Sequence, residues 1–135
     1  MKGSHASHRA REKVMSDHPE ALNHMLAAWN ERDQSQIRGH LERALAPDVR
    51  FVDPSTDLTG IDAFEANVNK VQSQVPGAEY LRMSPVDSQN GFHRYHWAIR
   101  HGGKTVLEGF DVTHTDNDGR VTLVVGFFGP LERDA

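Results

Sequence analysis

The run Val121-Thr122-Leu123-Val124-Val125-Gly126-Phe127-Phe128 constrains the fold of this 135-residue chain more than any other segment. Read as a strand, it points successive side chains to opposite faces. One face takes Thr122, Val124, Gly126 and Phe128; the other takes Val121, Leu123, Val125 and Phe127. Both sets are apolar, and a strand apolar on both faces is buried on both. Helices of the same chain can cover one face. A second copy of the chain is expected to cover the other, which makes the protein a homodimer.

The helices come first. Asp17 with Glu20 three residues on forms a capping box, with Pro19 suited to a first turn. Leu22, Met25, Leu26 and Trp29 then fall on one helical stripe. Asp33 with Gln36 starts a second helix, lined by Ile37, Leu41 and Leu45 and stopped by Pro47. Thr59 with Asp62 starts a third, with Phe64, Val68, Val71 and Val75 on one side and Pro76-Gly77 at its end. Val49 to Asp53 reads as a short strand between the second and third helices. Four strand-like runs follow, over 79–86, 92–100, 104–115 and 120–129, with tight turns at Gly102-Gly103 and Asp116-Asn117-Asp118-Gly119. Helices first and a mostly antiparallel meander afterwards predict an α+β fold.

Residues 1–15 contain no apolar h-region and read as a disordered or tag-like tail, leaving 16–135 as a single domain. The formal net charge is −4 with scattered basic residues, so neither nucleic acid nor a membrane is an expected partner. The segment Val121 to Phe128 is far too short to span a bilayer. The absence of cysteine excludes disulfides, thiolate nucleophiles and Cys-ligated metals, and a cytoplasmic protein is the default expectation. Nine histidines invite a metal site. However, His93 and His96 face opposite sides of a strand, and no His-Glu-x-x-His spacing occurs, so no metal is expected. Nucleotide-binding glycine loops and a Gly-x-Ser-x-Gly elbow are also missing, and no cofactor is expected.

Chemistry points to two aspartates in apolar strand segments. Asp53 ends Val49-Arg50-Phe51-Val52-Asp53-Pro54, and Asp111 lies in Leu107-Glu108-Gly109-Phe110-Asp111-Val112. An ionised carboxylate among such residues is costly unless it is paired or its pKa shifts. Two in one small domain suit a general base and a neutral hydrogen-bond donor, the arrangement for abstracting a proton beside a carbonyl.

The order of elements, the Asp53-Pro54 strand end and the terminal Asp118-Gly119-Arg120-Val121 … Gly126-Phe127-Phe128 strand resemble the nuclear transport factor 2-like superfamily, in its SnoaL-like and ketosteroid-isomerase-like branch. The resemblance spans about 17–131. It implies three helices packed on a curved sheet, a cone-like barrel with a central pocket. It further implies Asp53 as general base and Asp111 as the protonated oxyanion donor. Trp29 stands where the family places an oxyanion tyrosine, and Val68 where it places a supporting tyrosine. The indole Nε1–H donates one hydrogen bond but neither accepts nor titrates, so true ketosteroid isomerisation is not expected. Gly109, Val124, Gly126 and Phe128 match pocket-lining positions. An ungapped carry-over adds His96 and Arg94; a one-residue slip at the Gly102-Gly103 hairpin would bring in His93, Tyr95 and Trp97 instead.

The expected function is binding of a small apolar carbonyl-type ligand by a cofactor-independent isomerase or cyclase. Asp53 would take the proton, and Asp111 with Trp29 would stabilise the enolate. The alternatives are a non-catalytic ligand-binding or dimerisation module, or a hydrolase or dehydratase in which Asp53 polarises a water.

Overall fold

The computed structural model describes residues 18–131. The expected tail and the Asp17 half of the first capping box lie outside them. Three helices, α1 (Glu20–Asn30), α2 (Gln34–Ala44) and α3 (Ile61–Gln74), pack on one curved sheet. Its strands are β1 (Leu45–Asp53), β2 (Thr56–Thr59), β3 (Glu79–Arg82), β4 (Asp87–Gln89), β5 (Phe92–His101), β6 (Lys104–Thr115) and β7 (Val121–Phe128). The order across the sheet is β2-β1-β7-β6-β5-β3, with β4 also on β5. The sheet is curved but open, with β2 and β3 at its edges, so the cone does not close into a barrel. Neighbours are antiparallel except β1 and β7, which run parallel.

Local chemistry accounts for the element ends. Asp33 caps α2, its Oδ1 accepting from the Ser35 backbone N–H at 3.0 Å. α2 stops at Ala44 rather than at Pro47, because Leu45 turns extended and starts β1. Pro47 then falls in the irregular stretch between Leu45 and Arg50 where the β1–β7 register shifts, a place where a missing N–H costs no ladder bond. α3 begins after Gly60 at φ +96°, not at a Thr59 cap: Thr59 belongs to β2, a strand whose four residues carry no apolar alternation strong enough to be read.

The core forms where the helical stripes meet the concave face of the sheet. Leu22, Ile37, Leu41, Phe64 and Val68 are fully buried against Val49, Val121 and Val124. The last turn of α1 is tied down twice. The Asn30 amide exchanges two 2.8 Å hydrogen bonds with the backbone of Tyr80 on β3, and Gln72 Nε2 on α3 donates to the carbonyls of Trp29 and Glu31 at 2.9 Å each. The Gln72 bonds satisfy carbonyls that a helix end leaves unpaired. The Asn30 bonds fasten α1 to β3, and residues of both elements line the cavity that remains between helices and sheet. No helix among the described residues is long and apolar enough to cross a membrane.

Candidate active site

Sheet register puts both aspartates on the concave face in one row. Asp111 on β6 pairs with Gly126 on β7 and with Tyr95 on β5, while Val52↔Val125 pairing brings Asp53 alongside Gly126. Gly126 leaves the space between the carboxylates open. A Cβ there would stand 3.1 Å from Asp111 Oδ1 and 3.4 Å from Asp53 Cβ. Both side chains line a cavity of about 300 Å³ whose walls are mostly apolar, including Leu22, Met25, Trp29, Phe51, Val71 and Phe128.

Asp111 is the deep member. Each of its oxygens accepts one hydrogen bond, Oδ1 from Trp97 Nε1–H at 2.9 Å and Oδ2 from the Tyr95 hydroxyl at 3.2 Å. Burial pushes this carboxyl from its ordinary 3.8 up to about 7; the bonds from Trp97 and Tyr95 oppose the rise, and the charge of Asp53 adds to it. Burial also lifts the Tyr95 phenol well above its ordinary value, reinforced by the Asp111 charge, so it stays a protonated donor. Asp53 sits nearer the rim, its Oδ1 accepting from the Ser55 backbone N–H at 2.9 Å and the Ser55 hydroxyl at 3.2 Å. Local Asx bonding and a place in the cavity therefore coexist at Asp53.

Of the residues expected from the sequence, Asp53, Asp111, Trp29, Gly126 and Phe128 come together around the cavity. Trp29 does so as part of an aromatic wall, with Tyr80 and Phe64 ring centroids at 5.3 and 6.1 Å. Its Nε1–H makes no hydrogen bond to Asp111; that indole bond belongs to Trp97. Arg94 and His96 do not reach the cavity. They lie on the convex face, Arg94 Nε on Asp87 Oδ2 at 2.8 Å and the His96 ring beside Phe110. The reason is a register shift between Ile99 and Arg100, beside the Gly102-Gly103 hairpin, which puts Tyr95 and Trp97 on the concave side. His93 shares their face but lies away from the cavity, between the Ser88 and Thr115 hydroxyls at 2.8 and 2.9 Å. Burial holds it below its usual pKa, with His114 and His18 adding to the shift.

Gly109 and Val124 support the site from below instead of lining it. Val124 is fully buried in the core. Gly109 lies under the Trp97 indole: a Cβ there would overlap the Phe127 carbonyl and stand 2.8 Å from Trp97 Cζ2. The missing side chain is what lets Trp97 cross β6 and reach Asp111. Arg82, Ser55 and Asn67 also line the cavity but carry no separate signal in the sequence, because they come from an edge strand, a turn and a helix flank.

Comparison with known proteins agrees with this fold. A structure from Agrobacterium tumefaciens, provisionally named an isomerase of the SnoaL-like family, is 30% identical to the chain with a TM-score of 0.80, covering 86% of this chain and all of that one. A nuclear transport factor 2-like protein of unknown function from Exiguobacterium superposes with a TM-score of 0.67 at 17% identity, covering 82% of this chain and 99% of that one. A protein from Sinorhizobium meliloti, provisionally named a polyketide cyclase, does so at 0.66 and 14% identity, covering 83% and 97%. The last two likenesses speak for the fold alone. No curated protein matches the chain. The SnoaL-like domain model matches residues 22–124, through all three helical stripes, both aspartates and most of the curved sheet, and the chain therefore belongs to the SnoaL-like domain family.

Proposed function

We propose that the protein is a cofactor-independent isomerase or cyclase that binds a small, mostly apolar carbonyl compound and moves a proton on the carbon beside the carbonyl. The observation that carries this reading is the Asp111 carboxyl, held at about 7 in an apolar cavity with Asp53 across the Gly126 gap. Two carboxyls in such different surroundings divide the work of base and acid. Asp53, nearer the rim, takes the proton. Asp111 in its neutral form, beside the Tyr95 hydroxyl, donates to the developing enolate oxygen. Trp97 clamps Asp111 in place, and Trp29 serves as wall.

One observation favours exchanged roles. Both Asp111 oxygens already accept hydrogen bonds, an environment that suits the anion, and a carboxylate titrating near 7 is matched to general-base work at neutral pH. Deuterium incorporation from D₂O beside the carbonyl of β-tetralone, followed by NMR, separates the assignments. Wild-type protein should exchange the probe above the buffer rate. Asp53→Asn should lower that rate by about 10²–10⁴-fold. If Asp111→Asn removes exchange while Asp53→Asn keeps it, the base is Asp111. Binding of β-tetralone can be read directly, because both tryptophans of the chain line the cavity. Binding with no exchange in any form would leave the non-catalytic ligand-binding module.

We also propose that the convex face pairs with a second copy. Phe110 and Phe127 stack there at 5.0 Å, and Phe127, Phe92 and Val106 are exposed on the same side, a surface that a lone molecule would leave wet.

A further inference from the structure

Tyr95 separates Asp111 from a second charged group. Its hydroxyl meets Asp111, and the Arg82 guanidinium covers its ring, with Arg82 Cζ 5.4 Å from the centroid. Arg82 closes β3 and is the one basic side chain among the described residues lining the cavity, whose acids are Asp53 and Asp111. Its Nη1 is engaged, donating to Asn23 Oδ1 at 3.1 Å with His18 Nε2 also at 3.1 Å. The rest of the fork is idle. Nε–H is buried without a hydrogen-bond partner, and Nη2 makes no hydrogen bond to any described residue. No Asp or Glu among the described residues is within ion-pair distance of Arg82, although Arg50 and Arg94 each have one such partner and Arg38 has three.

An unpaired cation in an apolar wall is costly, and the Nε–Nη2 edge is the one that takes a carboxylate with two parallel hydrogen bonds. The same molecule shows that edge in use. Arg50 grips Asp57 side-on, Nε to Oδ1 at 3.1 Å and Nη2 to Oδ2 at 2.9 Å. We propose that the cavity takes a keto acid, an apolar-bodied carbonyl compound whose carboxylate docks on the open Nη2 of Arg82, gaining the Nε–H bond as the guanidinium turns toward it, while its carbonyl end lies over Asp111 and Asp53. The assignment of the reacting end rests on the carbonyl chemistry proposed above; the anion site does not. Repulsion from the cavity acids does not defeat it. A bound anion disfavours ionisation of Asp111 and so keeps that carboxyl in its neutral, donating form.

The test uses β-benzoylpropionate, which joins a phenyl ketone to a carboxylate, and its neutral amide of nearly the same shape. Titration followed by tryptophan fluorescence should give at least tenfold tighter binding of the acid to wild-type protein. Arg82→Gln should abolish that preference with amide binding unchanged, and Arg82→Lys, which keeps the charge, should retain part of it. Equal affinity of wild-type protein for acid and amide overturns the proposal without recourse to any variant, as does a preference that survives in Arg82→Gln. Deuterium exchange beside the ketone distinguishes the two readings. Preference for the acid without exchange in either compound sinks the carbonyl chemistry and leaves the anion site standing. Exchange in β-tetralone and the amide without preference for the acid sinks the anion site alone.

Discussion

The two faces of β5, β6 and β7 are built from alternate residues of the same segments, yet they solve opposite problems. On the concave face Tyr95, Trp97, Asp111 and Gly126 place a carboxyl inside an apolar cavity and satisfy both its oxygens. On the convex face, one residue along each strand, His96, Phe110 and Phe127 present aromatic rings outward, with Phe127 47% exposed. One face hides a polar group where apolar ones belong, and the other shows apolar groups where polar ones belong. The proposed ligand site rests on the first departure from ordinary burial and the proposed pairing face on the second.

The contrast breaks most visibly at Asp111. Its carboxyl titrates at about 7 in the fold against 3.8 ordinarily, so the folded state binds the extra proton between those values. The stability this contributes is full below the lower value and is lost as pH rises through the upper one. At about 1.36 kcal/mol per unit the loss amounts to at most about 4 kcal/mol. Asp111→Asn escapes it. Urea unfolding of the variant and the wild type should therefore diverge in favour of the variant between about pH 4 and pH 8; parallel pH profiles would show that the concave carboxyl pays no burial penalty.

Gly109→Ala tests how the site is supported. The new methyl would meet the Phe127 carbonyl and the Trp97 ring, and overpacking of this kind costs roughly 1–3 kcal/mol. Denaturation should register that loss, together with a change in tryptophan fluorescence as the indole is displaced. Trp97→Phe keeps the bulk and removes the donor to Asp111 Oδ1. Loss of that bond should cost about 1–2 kcal/mol when the carboxylate is charged and raise the Asp111 midpoint above its present value, as read by NMR of the carboxyl carbon. A midpoint that stays or falls would mean the indole does not tune the acid.

The smallest effect on the monomer belongs to the convex face. Phe127→Asp should cost the single chain about 0.5–1.5 kcal/mol, the worth of the lost stacking on Phe110, while converting a dimer to a monomer in light scattering. A dimer that persists would move the interface elsewhere.

Much of the molecule was legible in the chain because it follows from local periodicity. The stripes Leu22-Met25 and Ile37-Leu41 are buried as their spacing requires. Strand alternation placed Phe51 with Asp53 and Leu107 with Asp111, and all four line the cavity. The strand over 104–115 has the bounds its sequence predicts. The misreadings fall where pairing, rather than period, decides. The face of β5 that meets the cavity depends on a register shift at Ile99, which exchanges Arg94 and His96 for Tyr95 and Trp97. The choice of Trp97 over Trp29 as partner of Asp111 depends on Gly109, across the strand pair, having no side chain.

The sequence by itself determined the three helices, the longer strands and which residues share a face, because those properties repeat every few residues along one chain; the short β2 and β4 were not legible, and the run read over 79–86 ends at Arg82. Only the tertiary structure decided that β1 runs parallel to β7, that Asp53 and Asp111 flank one glycine, and that Arg82 shares their cavity. Those relations join residues far apart in sequence. They are set by strand register and by the way helices hold a curved sheet open, which no local pattern encodes.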